Sequence, residues 1–385
     1  MARLRRAIGL MSGTSRDGID AALLSSDGMD AITTGPALTL PYDAAFRQRL
    51  AEGVVLAAAR GRQAEEALAG LAHELTELHA AAVRALLAAA RIDAAAIDVI
   101  GFSGHTMIHR PAEGLSWQLG DAGFLAHATG IPVIADLRRR DIAAGGEGAP
   151  LAPVYHHARY RASGERPRPV ATLNLGGVAN VTWLDPARPP GSGLLAFDCG
   201  PGNALIDDWV RARTGRPFDE GGRLAGSGQV HRDVLEGLLA HPFFDRPPPK
   251  SLDRDAFAGA AVAGLSTADG AATLSAFTVA AIARASQFFP APAAAWHVTG
   301  GGRHNATLMA GLARVLGVPV GPVEALGWNG DALEAELFAY LAIRSLAGLP
   351  ISFPRTTGVP EPMTGGTRFD PGSPLPAGPV AQGTD

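Results

Sequence analysis

An aspartate at the end of an apolar stretch is the side chain best placed for proton transfer. Asp198 follows Leu195-Ala196-Phe197, a predicted strand, and precedes a Gly-Pro-Gly turn and a predicted helix. A carboxylate held at such a turn, beside a helix N-terminus, is fixed in position and can take a proton from a substrate group or from water. The alternative is an aspartate that only caps the helix. Asp198 is therefore a candidate general base.

Two segments are predicted to form a strand, a glycine-containing tip and a second strand. In the first segment, apolar runs at 7–11 and 19–24 flank a polar tip. The second segment, 170–184, has the same order around Gly176 and Gly177. Such tips expose backbone N–H groups and hydroxyls without bulky side chains, as a polyphosphate requires. A P-loop does not fit, because it needs a lysine before the Ser/Thr and a helix afterwards. The alternative for each segment is an ordinary hairpin turn.

Three consecutive glycines, Gly300, Gly301 and Gly302, follow the predicted strand 296–299 and lead into a predicted helix over 306–316. A backbone without side chains lets a flat adenine or its ribose lie against the chain, and the helix N-terminus favours a nearby phosphate. The motif by itself is weak, but it predicts a nucleoside site here.

A run of three arginines lies at the end of the predicted strand 131–135. Arg138, Arg139 and Arg140 stand between two aspartates, which predicts a fixed ion-pair cluster, and a glycine-rich loop follows over 143–150. Ligands gather at strand ends of open α/β sheets, which favours a binding function. The alternative is a solvated charge run.

Three single residues carry weaker signals. His105 lies in a predicted polar loop after the short strand 97–102, where it could hold a substrate hydroxyl or be an exposed histidine without a role. Glu334 falls in the first turn of the predicted helix 332–347, where a carboxylate can simply favour the helix N-terminus. No base lies near Cys199, so a small buried thiol is the prediction for it.

Bulk composition limits the class of protein. A chain of 385 residues, 47% of them hydrophobic, predicts two lobes, here 1–135 and 136–385, with a mobile Pro- and Gly-rich tail from about 371. The net charge of -4 argues against a nucleic-acid partner, and one cysteine excludes an internal disulfide framework and a Cys-built zinc site. The apolar run near the start is too short for a signal peptide, and no 18-residue apolar span follows. We therefore expect no membrane partner and a cytoplasmic location.

The paired hairpins resemble the organisation of the sugar kinase, heat-shock chaperone and actin superfamily. This resemblance implies a two-lobed α/β protein with the actin-like ATPase (ribonuclease H-like) fold and with ATP and sugar in the cleft between the lobes. More specifically, the motifs occur in the order seen in anhydro-N-acetylmuramic acid kinases, from about residue 7 to 370. The motifs that carry this resemblance are 13–20, 136–150, 174–177, 197–203, 249–251 and 300–302. The triple-arginine segment and Phe-Asp-Cys-Gly-Pro-Gly-Asn at 197–203 are the most specific of them.

The resemblance implies an ATP- and Mg²⁺-dependent step of cell-wall recycling. Such a kinase opens the 1,6-anhydro bridge of anhydro-N-acetylmuramic acid with water and phosphorylates O6, and the products are N-acetylmuramic acid 6-phosphate and ADP. By position, Asp198 is implied as the base for the water, Arg140 holds water and sugar, and Glu334 faces the sugar. No direct side-chain cage for a metal is expected, since Mg²⁺ would come with ATP near Asp17; a homodimer is also implied. The residues implied to bind ATP are Gly13, Thr14, Ser15, Arg16, Asp17, Gly18, Ile19, Asp20, Asn174, Gly176, Gly177, Gly300, Gly301 and Gly302.

One loop departs from the family pattern. Family members usually have His-Gly-Gln-Thr where this chain has Ser103-Gly104-His105-Thr106, so two polar side chains expected to face the sugar are changed. Here His105 and Thr106 are the candidate sugar contacts. A kinase of another anhydro or amino sugar, a non-catalytic nucleotide-binding regulator and an ATPase or phosphatase of the same fold stay open as alternatives.

Overall fold

The computed structural model describes residues 3–164, 167–253, 256–257 and 259–372. Over these residues the strands are β1 (Arg5–Ser12), β2 (Gly18–Ser26), β3 (Ile32–Pro41), β4 (Val99–Arg110), β5 (Leu115–Leu119), β6 (Val133–Ala135), β7 (Val170–Leu175), β8 (Val178–Leu184), β9 (Leu194–Pro201), β10 (Trp296–Thr299), β11 (Val320–Pro322) and β12 (Thr367–Phe369). The α-helices are α1 (Ala44–Arg60), α2 (Ala69–Ala90), α3 (Ala122–Thr129), α4 (Arg139–Ala143), α5 (Ala152–Ala162), α6 (Pro190–Gly193), α7 (Ala204–Thr214), α8 (Arg223–Ser227), α9 (Arg232–Leu239), α10 (Thr267–Ala285), α11 (Ala306–Leu316), α12 (Leu333–Leu346) and α13 (Pro354–Thr357).

The chain divides into two compact units, each built on its own sheet. The first unit combines Met1–Ala162 with Ala332–Asp385, and the second is Ser163–Asp331. In the first sheet the strand order is β12-β6-β4-β1-β2-β3, with β5 paired to β4, and in the second it is β11-β10-β7-β8-β9.

The two sheets share one topology. In the first, β1, β2 and β3 are antiparallel neighbours, and β4 and β6 follow in parallel on the other side of β1. In the second, β7, β8 and β9 are antiparallel, and β10 and β11 follow in parallel on the other side of β7. Numbering the five core strands within each unit gives the order 3-2-1-4-5 twice. This is the ribonuclease H-like arrangement, so the predicted fold class is confirmed.

The helix α12 returns the chain to the first unit. It packs so closely on β1 and β4 that a Cβ on Gly9 would lie 1.8 Å from the Ala335 carbonyl oxygen, and one on Gly101 would lie 2.0 Å from that of Phe338. Glycine is therefore needed at both strand positions. The units thus differ from the predicted lobes 1–135 and 136–385, because residues 136–162 and the described residues after 331 belong to the unit of the first sheet.

Several elements differ from the sequence-based expectations. The strand β4 was predicted to stop at 102 but continues to Arg110, where β5 pairs with it. The strand β3, for which no prediction was made, completes the antiparallel half of the first sheet. The predicted mobile tail lies, apart from residues 371–372, outside the described residues.

Candidate functional site

The tip of the first hairpin is a tight turn between β1 and β2. Arg16 N–H donates to the Gly13 carbonyl at 3.0 Å, and Arg16 adopts a φ of 56°, a left-handed conformation that is uncommon for a residue other than glycine. Ser15 Oγ donates to Asp17 Oδ1 at 2.8 Å. The nearest atom to a Cβ placed on Gly13 would be Ser15 Oγ, at 3.4 Å. The backbone at Gly13 is therefore open to a phosphate.

Acidic side chains surround this tip within the first unit. Thr39 Oγ1 donates to Asp20 Oδ1 at 2.6 Å. Glu334, in the first turn of α12, reaches solvent, although protein surrounds it closely enough that desolvation raises the pKa of its carboxyl. The charge of Asp20 raises that pKa further, Arg138 lowers it, and Asp17 raises it. Glu334 at the start of α12 is therefore close enough to the hairpin for the charges of Asp17 and Asp20 to act on it.

His105 is a buried strand residue and not the exposed loop residue considered above. Its side chain is 1% exposed, and its Nδ1 lies 2.9 Å from Ser12 Oγ, which in turn lies 2.7 Å from the hydroxyl of Tyr42. Burial lowers the pKa of His105 to about 4, and the charge of Arg16 acts in the same direction. The Nδ1 of the imidazole is therefore engaged with Ser12 of β1, and the expected contact of His105 with the sugar stays a prediction. This chain of side chains links β4 to the base of the hairpin.

The other residues of the changed loop lie on the same strand. Thr106 is half-buried, and Gln118 Nε2 approaches Thr106 Oγ1 at 3.4 Å from the neighbouring strand β5. A cavity of about 620 Å³ in the first unit is lined in part by Ser103, Gly104 and Gln118. The two changed residues therefore have different surroundings: Ser103 lines the cavity, and His105 contacts Ser12 of the first hairpin.

The arginine segment does not form the predicted ion-pair cluster. Asp141 Oδ2 accepts a hydrogen bond of 2.6 Å from Thr357 Oγ1, and its Oδ1 accepts one of 2.6 Å from Gly148 N–H. Arg138 donates to the Gly148 carbonyl at 2.8 Å, whereas Arg140 is exposed and approaches Thr364 Oγ1 at 3.5 Å. The buried aspartate organises the glycine-rich loop through hydroxyl and backbone donors, and the Arg140 guanidinium is left accessible for a ligand.

In the second unit, a row of polar residues crosses four strands. Thr299 is paired with Asn174, Asn174 with Asn180, and Asn180 with Asp198. Asn174, Asn180 and Asp198 are each half-buried. The row places the candidate base in register with the strands of the second hairpin. Asn180 was missed in the sequence; an asparagine between Ala179 and Val181 in a buried strand was the available signal.

The Gly-Pro-Gly-Asn turn at 200–203 is hydrogen-bonded to the second hairpin. Asn203 Nδ2 donates to the Leu175 carbonyl at 2.8 Å, and Asn203 N–H donates to that of Gly176 at 2.7 Å. A Cβ on Gly202 would lie 2.1 Å from the same Gly176 oxygen. A Cβ placed on Gly176 or on Gly177 would have no described atom closer than 3.5 Å. These two tip residues are therefore not crowded by their neighbours. The turn thus fixes the hairpin while the tip stays accessible.

The three glycines at 300–302 have different surroundings. A Cβ on Gly300 would lie 2.4 Å from Asn174 Oδ1, and one on Gly302 would lie 2.3 Å from Leu175 Cγ. A Cβ on Gly301 would have no described atom within 4 Å. Gly300 and Gly302 therefore pack against the second hairpin, and Gly301 provides the open backbone that a nucleoside needs.

Asp198 is held by the segment that follows the Pro-rich loop. Its N–H donates to the Lys250 carbonyl at 3.0 Å, and its Oδ2 accepts from Leu252 N–H at 2.8 Å. The neighbouring Cys199 is buried, and burial raises the pKa of its thiol well above the usual value. A protonated, buried thiol is a poor nucleophile, in agreement with the prediction for it.

Each unit therefore groups part of the predicted site. The first contains the Gly13–Asp20 tip with Arg138 and Glu334 nearby, and the second contains Asn174, the tip glycines, Gly300–302 and Asp198. Among the described residues, no group of three or more His, Cys, Asp or Glu side chains is arranged to hold a metal ion. Within the same residues, no helix has the length and apolar character needed to cross a membrane.

Two ribonuclease H-like units, each with an open glycine-tipped hairpin, define the class of protein: one with the actin-like ATPase fold. The sequence model described as anhydro-N-acetylmuramic acid kinase matches residues 5–371. This chain belongs to the anhydro-N-acetylmuramic acid kinase family.

Similar proteins with this name cover nearly the whole chain. The kinase of Paramagnetospirillum magneticum is 54% identical over 369 residues, which are 95% of this chain and 99% of that relative. The kinase of Rhodospirillum rubrum is 52% identical over 377 residues, 98% of this chain and 97% of the relative. Among solved structures, a ROK hexokinase from Thermus thermophilus covers 88% of this chain and 99% of its own, with 17% identity and a TM-score of 0.39.

Proposed function

We propose that this protein uses ATP to convert 1,6-anhydro-N-acetylmuramic acid into N-acetylmuramic acid 6-phosphate. The observation that supports this most directly is the Asp198 carboxylate, which accepts the Leu252 N–H at 2.8 Å in a chain that belongs to the kinase family. Opening an anhydro bridge requires an activated water as well as a phosphoryl donor. A fixed carboxylate supplies the first requirement.

Water addition needs a base, and Asp198 is the residue proposed for it. The water oxygen forms a bond to the anomeric carbon while its proton passes to the Asp198 carboxylate. The bond between the anomeric carbon and O6 breaks, and its electron pair stays on O6. O6 needs no base of its own, because it is released as an alkoxide-like oxygen when the bridge opens. It then attacks the γ-phosphorus, and ADP leaves.

Phosphoryl transfer depends mainly on positioning and on charge stabilisation. The open backbones at Gly13, Gly176 and Gly177 support a role in holding the β- and γ-phosphates, and Gly301 supports one in holding the nucleoside. Mg²⁺ would be held with the phosphates near Asp17, where it would neutralise developing charge.

Sugar recognition is assigned to three residues of the first unit. Arg140 is exposed and can donate to the sugar and the water, and Glu334 and Thr106 can accept or donate to hydroxyls. His105 is a fourth proposed sugar contact, through the ring nitrogen that does not face Ser12.

We also propose that the protein is cytoplasmic and forms a homodimer. The reaction serves cell-wall recycling and amino-sugar catabolism and consumes ATP, which supports a cytoplasmic location. The family resemblance supports a homodimer, which sedimentation of the purified protein tests.

Sugar-dependent ADP release tests the function. We expect release with 1,6-anhydro-N-acetylmuramic acid and little with levoglucosan or free N-acetylmuramic acid. Release at the same rate without sugar would point to an ATPase, and preference for another sugar would point to a kinase of different specificity. Either result would refute the proposed function.

A further inference from the structure

Lys250 is the only lysine of the chain, since every other member of the 33 Lys and Arg residues is an arginine. Its side chain is 5% exposed, whereas lysines are almost never fully buried without compensating contacts. It lies in the Pro-Lys-Ser motif that the proposed reaction has not used. A buried ammonium at this one position requires a structural explanation.

The ammonium sits in a cage of carbonyls and aromatic rings. Nζ donates to the carbonyl of Phe243 at 3.0 Å and approaches that of Phe244 at 3.4 Å. It lies 4.5 Å from the ring centroid of Phe243, 4.6 Å from that of Phe288 and 5.7 Å from that of Phe197. These contacts suit a compact cation, whereas the planar fork of arginine would need more room. Desolvation lowers the pKa of Lys250, as expected for such a site.

The main chain beside this anchor holds the candidate base. The Lys250 carbonyl accepts the N–H of Asp198 at 3.0 Å, and Leu252 N–H donates to Asp198 Oδ2 at 2.8 Å. Residues 251–253 have no helix or strand of their own, and Ser251 is exposed. The buried Lys250 ammonium therefore ties this irregular segment to the core cluster that contains Phe243 and Phe244, and the Leu252 side chain packs on the same cluster.

We propose that Lys250 is a positioning residue for Asp198: its caged ammonium anchors residues 250–252, whose backbone orients the Asp198 carboxylate. The inference rests on the proposed function for its kinetic consequence. The Leu252 N–H also favours the ionised carboxylate, because a hydrogen bond to the charged form lowers the pKa of an acid. Loosening the segment therefore weakens both the orientation and the ionisation of Asp198.

The test compares Lys250→Met with the wild-type enzyme and with Arg246→Met, a matched control that removes an exposed cation of the same segment. We expect Lys250→Met to lower kcat at least about tenfold, as for loss of a correctly oriented base. KM for ATP should stay within about twofold, and the acidic limb of the pH–kcat profile should move to higher pH because the pKa of Asp198 rises. Arg246→Met should match the wild type in all three.

A second variant tests the hydrogen bond between Leu252 N–H and Asp198 directly. Leu252→Pro keeps Lys250 but removes the N–H that reaches Asp198, so it should shift the acidic limb in the same direction. Unchanged kcat and an unmoved acidic limb in a folded Lys250→Met protein would overturn the inference, as would a loss of thermal stability alone.

A measurement without turnover separates this inference from the proposed function. In ¹³C-aspartate-labelled protein, the Asp198 carboxyl is assigned from the signal that disappears in Asp198→Asn. Its titration should move to higher pH in Lys250→Met even if the wild type fails to convert the anhydro sugar. A wild type without sugar-dependent ADP release refutes the function, and an unmoved titration refutes the role of Lys250.

Discussion

The Asp198 carboxylate is oriented by a backbone donor, the Leu252 N–H at 2.8 Å, and it stands in a polar row with Asn180 and Asn174. A base for water needs this fixed direction more than it needs an unusual pKa, because the water must be aimed at one carbon atom. The orientation of this one carboxylate therefore bears most directly on the chemistry.

Asp198→Asn should remove proton transfer and preserve shape. We expect kcat to fall at least about 100-fold, within the usual range for loss of a general base. The affinity for ATP should be unchanged, because the glycines proposed to hold the nucleotide are separate residues. Steady-state ADP release and nucleotide titration measure the two quantities. Asp208→Asn, at a half-buried position of α7, is the control, and activity of Asp198→Asn equal to that of this control would contradict the assignment.

Buried histidines predict how stability depends on pH. Burial lowers the pKa values of His79, His105 and His156 to about 4, from 6.5 in an exposed state. In that window the unfolded chain binds more protons than the folded one, so the free energy of unfolding falls as pH drops from about 6.5 towards 4. Urea unfolding at pH 7 and pH 5 measures this change.

His156 offers a variant for the same experiment, because its Nδ1 is buried without a hydrogen-bond partner among the described residues. His156→Leu should make the loss of stability between pH 7 and pH 5 smaller. A free energy of unfolding that stays constant or rises towards pH 5 in the wild type would contradict the account.

At the scale of elements, hairpins and turns were accessible from sequence because their signals are local. Apolar runs around glycine tips predicted β1–β2 and β7–β8, and the helix 306–316 after three glycines was found with the same bounds. The extension of β4 was missed because Ser103, His105 and Thr106 make the segment polar. Their partners, such as Ser12 and Gln118, lie on other strands, so no local pattern could have revealed them.

Two neighbouring glycines of the Gly-Gly-Gly turn, Gly301 and Gly302, allow a role in nucleotide binding to be separated from a role in packing. Gly302→Ala should destabilise the fold by about 1–3 kcal/mol, because its Cβ would lie 2.3 Å from Leu175 Cγ. Gly301→Ala should change stability by less than about 0.5 kcal/mol, because no described atom lies within 4 Å of its Cβ. It should instead raise KM for ATP. Thermal unfolding and ATP kinetics separate the two, and an unchanged KM in Gly301→Ala would remove the nucleoside assignment.

At the scale of the molecule, the same strand order appears twice although the two halves share little sequence. A topology is set by which strands pair, and many sequences satisfy one pairing pattern. The sequence therefore predicted the fold class, mainly through the duplicated hairpins. It did not predict the division into units, because the return of α12 to β1 depends on close packing at Gly9 and Gly101.

The reaction itself couples two events, opening of the anhydro bridge by water and transfer of a phosphoryl group to O6. A single turnover in H₂¹⁸O with ATP and 1,6-anhydro-N-acetylmuramic acid, followed at once by mass spectrometry, tests this coupling. We predict one product that has gained a phosphoryl group together with one labelled water. A phosphorylated sugar that keeps its bridge, an opened sugar without phosphate, or ADP with unaltered sugar would contradict the account.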